Sequence, residues 1–177
     1  GCERYMQIVR CFRDEDPRAD RQAEFTQLDM EMSFVDQDEV MTICEGMIRR
    51  IWKDILDVEV PEIQRMPYSE AISRFGSDRP DLRFGMELID VTDIVKDSDF
   101  RVFTQAVEEG GAVKAVVVPG GAAQPRKYTD GLAEWVKQFG AGGLPVCKLE
   151  NGAFATGVAK FIAPLQDRLV ERLGMKD

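Results

Sequence analysis

The chain has 177 residues, of which 44% are hydrophobic and 31% charged, and its net charge is −9. That net acidity argues against a surface that binds RNA as a whole, and the length suffices for one domain or two small ones. No apolar run approaches the roughly eighteen residues of a membrane span and no signal peptide is visible, so we expect a cytoplasmic protein without a membrane segment.

The first predicted element is a β-hairpin. Tyr5–Phe12 and Glu24–Val35 read as strands, joined by the loop Arg13–Ala23, most of whose residues are charged. The second strand alternates with a period of two, which predicts one apolar and one polar face. The apolar set is Leu28, Met30, Met32 and Phe34, and the polar set is Gln27, Asp29, Glu31 and Ser33. A face with two carboxylates and an amide is costly to bury, so we expect it to face solvent or a ligand.

A helix is predicted next, with Asp36 as N-cap and Glu39 completing a capping box, and apolar residues recur at helical spacing to about Leu56. Residues 60–67 contain two prolines and read as a linker. A short helix over Ser69–Phe75 should end at Gly76, followed by a loop over residues 77–83.

The texture of the sequence changes near Phe84, where strands and helices begin to alternate. We predict short strands at 86–91, 101–106, 112–118 and 144–149, and helices at 92–96, 129–139 and 164–173. The helix at 129–139 is expected to bury Leu132, Trp135, Val136 and Phe139. Gly120-Gly121 lacks the Lys-Ser/Thr of a phosphate loop and reads as a turn. The pattern is typical of a small α+β domain, which divides the chain into residues 1–84 and 85–177.

Metal and histidine chemistry find little support in the composition. There is no histidine, and the cysteines form no CxxC pair: Cys2, Cys11, Cys44 and Cys147. We therefore expect no zinc site and reduced thiols. Residues 1–84 hold 12 basic and 19 acidic side chains, so contact with a nucleic acid must be local, and Arg18 and Arg21 on the hairpin loop are the natural candidates.

The hairpin resembles motif 2 of the class II aminoacyl-tRNA synthetases, specifically of the bacterial-type aspartyl-tRNA synthetases. The family motif runs FRDED, two residues, ADRQPEFTQ, an aliphatic residue and Asp, and residues 12–29 read FRDED-PR-ADRQAEFTQ-L-D. The one clear departure is Ala23, where the family usually has proline; this makes the loop more flexible and removes no chemical group. A second family segment, GSDRPDLR, follows at residues 76–83.

The second half of the chain resembles the α+β insertion that these enzymes carry between motifs 2 and 3. KAVVVPGGA at 114–122 is similar to its start, and GVAKF at 157–161 to a later segment. The resemblance implies an α+β fold, in which the antiparallel hairpin and helix of a class II catalytic core precede a small α+β insertion domain. Residues 1–84 would be part of the catalytic domain and residues 85–177 part of the insertion domain.

The resemblance also assigns an ATP site. Arg13 would be the catalytic residue that grips the α-phosphate of ATP and the carboxylate of aspartate, a task that suits a planar five-donor fork. Asp14, Glu15 and Gln22 would lie at ATP, although each could be an ordinary polar residue of a loop. Phe25 would stack on adenine; it lies on the polar side of the alternation, where a core residue is out of place.

Gln27 and Asp29 resemble residues of the aspartate pocket, where an acid can pair with the substrate ammonium. Glu31 is either a supporting residue or a carboxylate on the side of the metal ion, and no metal ligand is assigned. Arg18 and Arg21 resemble loop residues that meet the tRNA acceptor end; the alternative is a salt-bridged loop, since five acidic residues lie nearby in the sequence.

By this resemblance the parent enzyme is an aspartate–tRNA ligase of protein biosynthesis, a cytoplasmic homodimer that uses ATP, L-aspartate, Mg²⁺ and tRNA(Asp). The chain reads as a fragment without motifs 1 and 3, which we expect to be inactive in isolation. A non-catalytic RNA- or protein-binding module built on the insertion domain is the alternative. Asparagine- and lysine-specific relatives are disfavoured by the motif, while charging of tRNA(Asn) by the parent stays open.

Overall fold

A computed structural model describes residues 1–16, 18–83 and 85–176. The chain divides into two compact units, one of residues Gly1–Arg65 and one that begins at Met66. Helices are combined with three small antiparallel sheets of two strands each across the described ranges. The expected mixed α+β composition is therefore confirmed. No helix in the part of the chain that is described has the length and apolarity to cross a membrane.

The first unit contains the predicted hairpin. Strands β1 (Arg4–Phe12) and β2 (Glu24–Met32) pair antiparallel, with Arg4 opposite Met32 and Phe12 opposite Glu24. The loop between them therefore has the predicted bounds. The prediction that β2 extends to Val35 is wrong, because the chain turns after Met32: Phe34 has φ 58° and a side chain that is 96% exposed.

Helix α1 (Gln37–Leu56) follows and begins as predicted. The Asp36 carboxylate accepts the Glu39 N–H at 3.0 Å, and the Glu39 carboxylate accepts the Asp36 N–H at 3.0 Å. The helix ends at Asp57, in the left-handed region at φ 52°. None of its residues, all of which lie within the described part, is buried. The first unit thus presents its apolar groups on an amphipathic helix rather than enclosing them.

The second unit has the hydrophobic core. Helix α2 (Tyr68–Phe75) begins it and ends at Gly76, which has φ 68°. Strand β3 (Ile89–Asp90) and helix α3 (Thr92–Val95) follow, then helix α4 (Arg101–Glu108) and strand β4 (Lys114–Ala115). Next come helix α5 (Arg126–Lys137), strands β5 (Lys148–Glu150) and β6 (Ala153–Ala155), and helices α6 (Ala159–Ile162) and α7 (Gln166–Leu173). The buried cluster joins α3 to α6 and α7: Val91, Ile94, Val95, Ile162 and Leu169.

Several predictions for the second half are wrong. Residues 101–106 form helix α4 and not a strand, because the half-buried residues of this segment share a helical face: Phe103, Thr104, Ala106 and Val107. The strands expected at 86–91 and 112–118 shrink to the paired β3 and β4, and that at 144–149 to β5. The hairpin partner β6 and helix α6 were not predicted.

Helix α5 also departs from its prediction, since it begins three residues earlier, directly after Pro125, and ends at Lys137. Trp135 is 54% exposed and Phe139 is 72% exposed, so the expected burial of these two rings is wrong. Their rings contact each other, with centroids 4.8 Å apart. The periodic apolar residues thus predicted the helix correctly, but they did not predict which of its side chains would be buried.

The boundary between the compact units lies after Arg65, well before Phe84, where the predicted alternation of strands and helices begins. Helix α2 belongs to the second unit: the Leu88 N–H donates to the Arg74 carbonyl at 2.6 Å, and Lys114 Nζ donates to the Ser73 carbonyl at 2.6 Å. Arg74 also pairs with Glu87 at 2.6 Å. Phe84, where the texture changes, lies outside the described residues. The expected domain boundary at 84/85 stays a prediction.

Candidate functional site

The hairpin has two faces, and its register decides which side chains share each of them. Residues directly opposite one another point to the same side of a sheet. One face, which we call the pocket face, carries six half-buried residues: Gln7, Val9, Cys11, Phe25, Gln27 and Asp29. The other face carries exposed apolar residues, including Met6, Ile8 and Leu28. The predicted separation of polar and apolar sets is therefore confirmed from Gln27 to Met32, whereas Ser33 and Phe34 lie beyond the strand.

Arg13 stands at the end of the pocket face where the loop begins. Its backbone N–H donates to the Ala23 carbonyl at 2.9 Å, which closes the loop where β2 starts. Its guanidinium carbon lies 5.5 Å from the centroid of the Phe25 ring, within the range of a cation–π contact. The sequence thus places a cation and an aromatic ring side by side at one edge of the face.

Glu15 lies between two arginines of the loop. Its carboxylate is 3.7 Å from Arg13 Nη1 and 2.7 Å from Arg21 Nη1. All three side chains are at least a third exposed, so each pair contributes little to stability. The arrangement still matters for geometry, because one carboxylate holds Arg13 and the returning side of the loop together. The salt-bridged alternative for Arg21 is therefore present in the structure.

Asp29 and Gln27 lie further along the pocket face, and each has a partner on β1. Gln7 Nε2 donates to Asp29 Oδ2 at 3.1 Å, and Cys11 Sγ donates to Gln27 Oε1 at 3.5 Å. These two partners were missed at the level of sequence. A signal was available for Gln7, which stands between Met6 and Ile8 as Asp29 stands between Leu28 and Met30, whereas Cys11 next to Arg10 gave none.

The other candidates lie apart from this row. Asp14, Arg18 and Gln22 are exposed loop residues, and the Arg18 carbonyl accepts the Arg21 N–H at 3.1 Å. Glu31 is exposed and stands opposite Tyr5, at the far end of the hairpin. The structure therefore brings Arg13, Glu15 and Phe25 together and lines up Gln27 and Asp29 behind them. The remaining four candidates are exposed to solvent: Asp14, Arg18, Gln22 and Glu31.

The second family segment forms an ordered loop in the second unit. The Arg79 N–H donates to Ser77 Oγ at 3.1 Å, and Arg83 Nε donates to Asp81 Oδ1 at 2.9 Å. The hydrogen bonds from the Arg83 side chain and backbone lower the pKa of Asp81 to about 2. Asp81 is therefore ionised over the whole range in which the protein is handled, and the turn keeps its internal ion pair.

Comparison with known proteins places this hairpin in a family. The family described as tRNA synthetases class II (D, K and N) matches residues 1–169. The chain is 52% identical to the aspartate–tRNA(Asp/Asn) ligase of Halothermothrix orenii over 98% of its length. It is 55% identical to the aspartate–tRNA ligase of Halalkalibacterium halodurans over 92% of its length. The ligase of Agathobacter rectalis is 51% identical over 99% of the chain.

The chain spans only part of these relatives, 30%, 28% and 30% of their respective lengths. The family match nevertheless covers the first unit and the second unit as far as residue 169, and it includes every residue of the pocket face and of the hairpin loop. This chain therefore belongs to the class II tRNA synthetases of the D, K and N family.

Proposed function

We propose that this chain forms part of an aspartate–tRNA ligase and supplies one wall of its site for ATP and aspartate. The observation that carries the proposal is the pocket face itself. An arginine beside an aromatic ring stands at one end of a row of side chains that includes a carboxylate. Such a set of groups suits a substrate pair that offers a purine, a phosphate and an ammonium group.

Activation would proceed by attack of an aspartate α-carboxylate oxygen on the α-phosphorus of ATP. The bond from that phosphorus to the bridging oxygen breaks, and pyrophosphate leaves with the electron pair. The terminal ribose hydroxyl of tRNA then attacks the acyl carbon of the aspartyl-adenylate, loses its proton and displaces AMP. Negative charge gathers on the α-phosphate in the first step, so a fixed cation there lowers the barrier.

Arg13 is the residue that we assign to this charge. Its fork can contact both the α-phosphate and the attacking carboxylate, which holds the two reactants in a geometry suited to reaction. Glu15, whose carboxylate faces both Arg13 and Arg21, is assigned to the ATP site as well. Phe25 offers its ring to adenine, and Asp14 and Gln22 are assigned to the nucleotide from the exposed loop.

Asp29 is assigned to the ammonium group of the aspartate substrate, and Gln27 is assigned to the polar groups of the same substrate. Arg18 and Arg21 are proposed to meet the tRNA acceptor end. The names of the relatives support tRNA(Asp) as substrate, and one of them adds tRNA(Asn), so both tRNAs belong in a charging assay. A homodimer, a cytoplasmic location and an insertion domain over residues 85–177 are proposed from the family resemblance.

Mg²⁺ accompanies ATP in the chemistry proposed. Among the described residues, no three Asp, Glu or Cys side chains lie close enough together to hold a metal ion. No residue of the described part is therefore assigned to Mg²⁺.

Pyrophosphate exchange into ATP tests the proposal in a full-length ligase that carries this chain. Arg13→Ala should reduce aspartate-dependent exchange about 10²- to 10³-fold, since loss of one charge-stabilising donor costs roughly 3–4 kcal/mol. Arg10→Ala is the matched control: Arg10 lies three residues earlier, on β1, points away from the pocket face and pairs with Glu24 at 3.2 Å. It should stay within a few-fold of the parent.

Equal losses in the two variants would contradict the assignment of Arg13. RNA affinity with no dependence on ATP, together with no exchange by the parent, would instead support the non-catalytic binding module.

A further inference from the structure

The pocket face contains one polar residue of β1 that lies directly opposite the proposed ammonium ligand. Gln7 and Asp29 are paired in the register, and Gln7 Nε2 donates to Asp29 Oδ2 at 3.1 Å. Both side chains are half-buried, so water competes less for this hydrogen bond than it would on an open surface. We propose that Gln7 is a positioning residue that holds the Asp29 carboxylate for the ammonium group of the amino-acid substrate.

The first part of the argument is geometric. A carboxylate has two oxygens, and a fixed hydrogen bond to one of them sets the plane of the group. With Oδ2 engaged by Gln7, the carboxylate can no longer rotate freely, and Oδ1 is left to accept a substrate N–H. A ligand placed in this way loses less freedom on binding than one that must first be ordered.

The second part of the argument concerns charge. The amide of Gln7 is a neutral donor, so it orients Asp29 without cancelling its negative charge. A lysine at the same position could make the same contact, but its ammonium would compete with that of the substrate for the carboxylate. An amide is therefore the group that positions an anion and leaves it available to a cation.

A repeat of the arrangement on the same face supports this role. Cys11 Sγ donates to Gln27 Oε1 at 3.5 Å, so the Gln27 amide has its oxygen occupied and its N–H donors available. β1 thus supports both polar residues that β2 presents. This inference rests on the proposed function, because it names a residue that acts through Asp29.

The experiment compares Gln7→Leu and Gln7→Lys in the full-length ligase, with Met6→Leu as the control. Met6 lies on the same strand, points to the other face and is 66% exposed. The readouts are the KM values for aspartate and ATP, kcat, and the ratio of affinities for L-aspartate and succinate, which lacks the amine. Gln7→Leu should raise the aspartate KM about tenfold and lower the aspartate-to-succinate ratio about as much, the range of one hydrogen bond to a charged group. The KM for ATP should stay unchanged.

Gln7→Lys separates positioning from structural support. It retains a donor to Asp29, so a purely structural role would leave aspartate affinity at the parent value. We expect it to lose aspartate selectivity as Gln7→Leu does, while its melting temperature stays at or above that of the parent. If Gln7→Leu does not fold, the aspartate-to-succinate ratio of Gln7→Lys alone tests the proposal.

An unchanged aspartate-to-succinate ratio in Gln7→Lys, or equal increases in both KM values in Gln7→Leu, would overturn the inference. Such a result would leave the proposed function intact as long as Arg13→Ala still abolishes exchange. If neither Arg13→Ala nor Asp29→Asn reduced exchange, that result would count against the proposed function itself.

Discussion

Gly157 is the position where a single methyl group should have the largest effect on this chain. It has φ 53°, in the left-handed region that favours glycine. A Cβ atom there would stand 2.9 Å from the carbonyl carbon of Val146 and closer still to its oxygen. That oxygen accepts the Val158 N–H at 3.1 Å, so Gly157→Ala forces apart the two segments that this hydrogen bond joins.

The cost has two parts that the structure sets. An alanine held in the left-handed region costs about 1–2 kcal/mol. Loss of the Val158 hydrogen bond adds about 1 kcal/mol, before the neighbouring segment is displaced. The free energy of unfolding of the second unit should therefore fall by about 2–3 kcal/mol or more. Gly131→Ala is the matched control, because Gly131 lies inside α5 and an added Cβ meets nothing within 4 Å. It should raise stability by up to about 1 kcal/mol.

Urea unfolding followed by tryptophan fluorescence measures both variants. Trp52 lies in the first unit and Trp135 in the second, so a Trp52→Phe background reports the second unit alone. The midpoint should fall for Gly157→Ala and rise slightly for Gly131→Ala. If Gly157→Ala unfolds at the same urea concentration as Gly131→Ala, the close approach of Val146 to residue 157 is wrong and the reasoning fails with it.

Three further predictions concern activity, domain limits and a thiol. The 177 residues alone should show no aspartate-dependent pyrophosphate exchange, because the pocket face is only one wall of a site; exchange by this chain alone would refute that incompleteness. A chain of residues 66–177 should unfold at higher urea concentration than one of residues 85–177, since the latter lacks helix α2, with its buried Ala71 and the hydrogen bonds that its carbonyls accept from Leu88 and Lys114; equal midpoints would favour a folding boundary at 84/85. Burial raises the pKa of Cys147 from 9.0 to about 11, so the unfolded chain loses this proton at lower pH than the folded one. Stability should therefore decline between pH 9 and 11, and by less in Cys147→Ala; the same decline in both would show that another group titrates.

The local elements of the first unit follow from the sequence because short-range chemistry specifies them. The hairpin loop coincides with the charge-rich segment between the two strands, and the capping box at Asp36 and Glu39 fixes the start of α1. The alternation on β2 placed Phe25 beside Gln27 and Asp29, since side chains with a period of two cannot do otherwise. These are properties of a few consecutive residues, so no tertiary information is needed.

Contacts between distant residues decided the rest. Residues 101–106 have β-forming side chains, yet Phe103 packs against the core formed with α6 and α7, and that packing favours a helix. Leu132 and Val136 of α5 are half-buried, whereas Trp135 and Phe139 stay exposed in the described structure although their spacing predicted burial. Gln7 reaches Asp29 only because the register pairs positions 22 residues apart. Amino-acid pattern determined which groups the chain carries, whereas the pairing of strands and the enclosure of the core decided which of them meet.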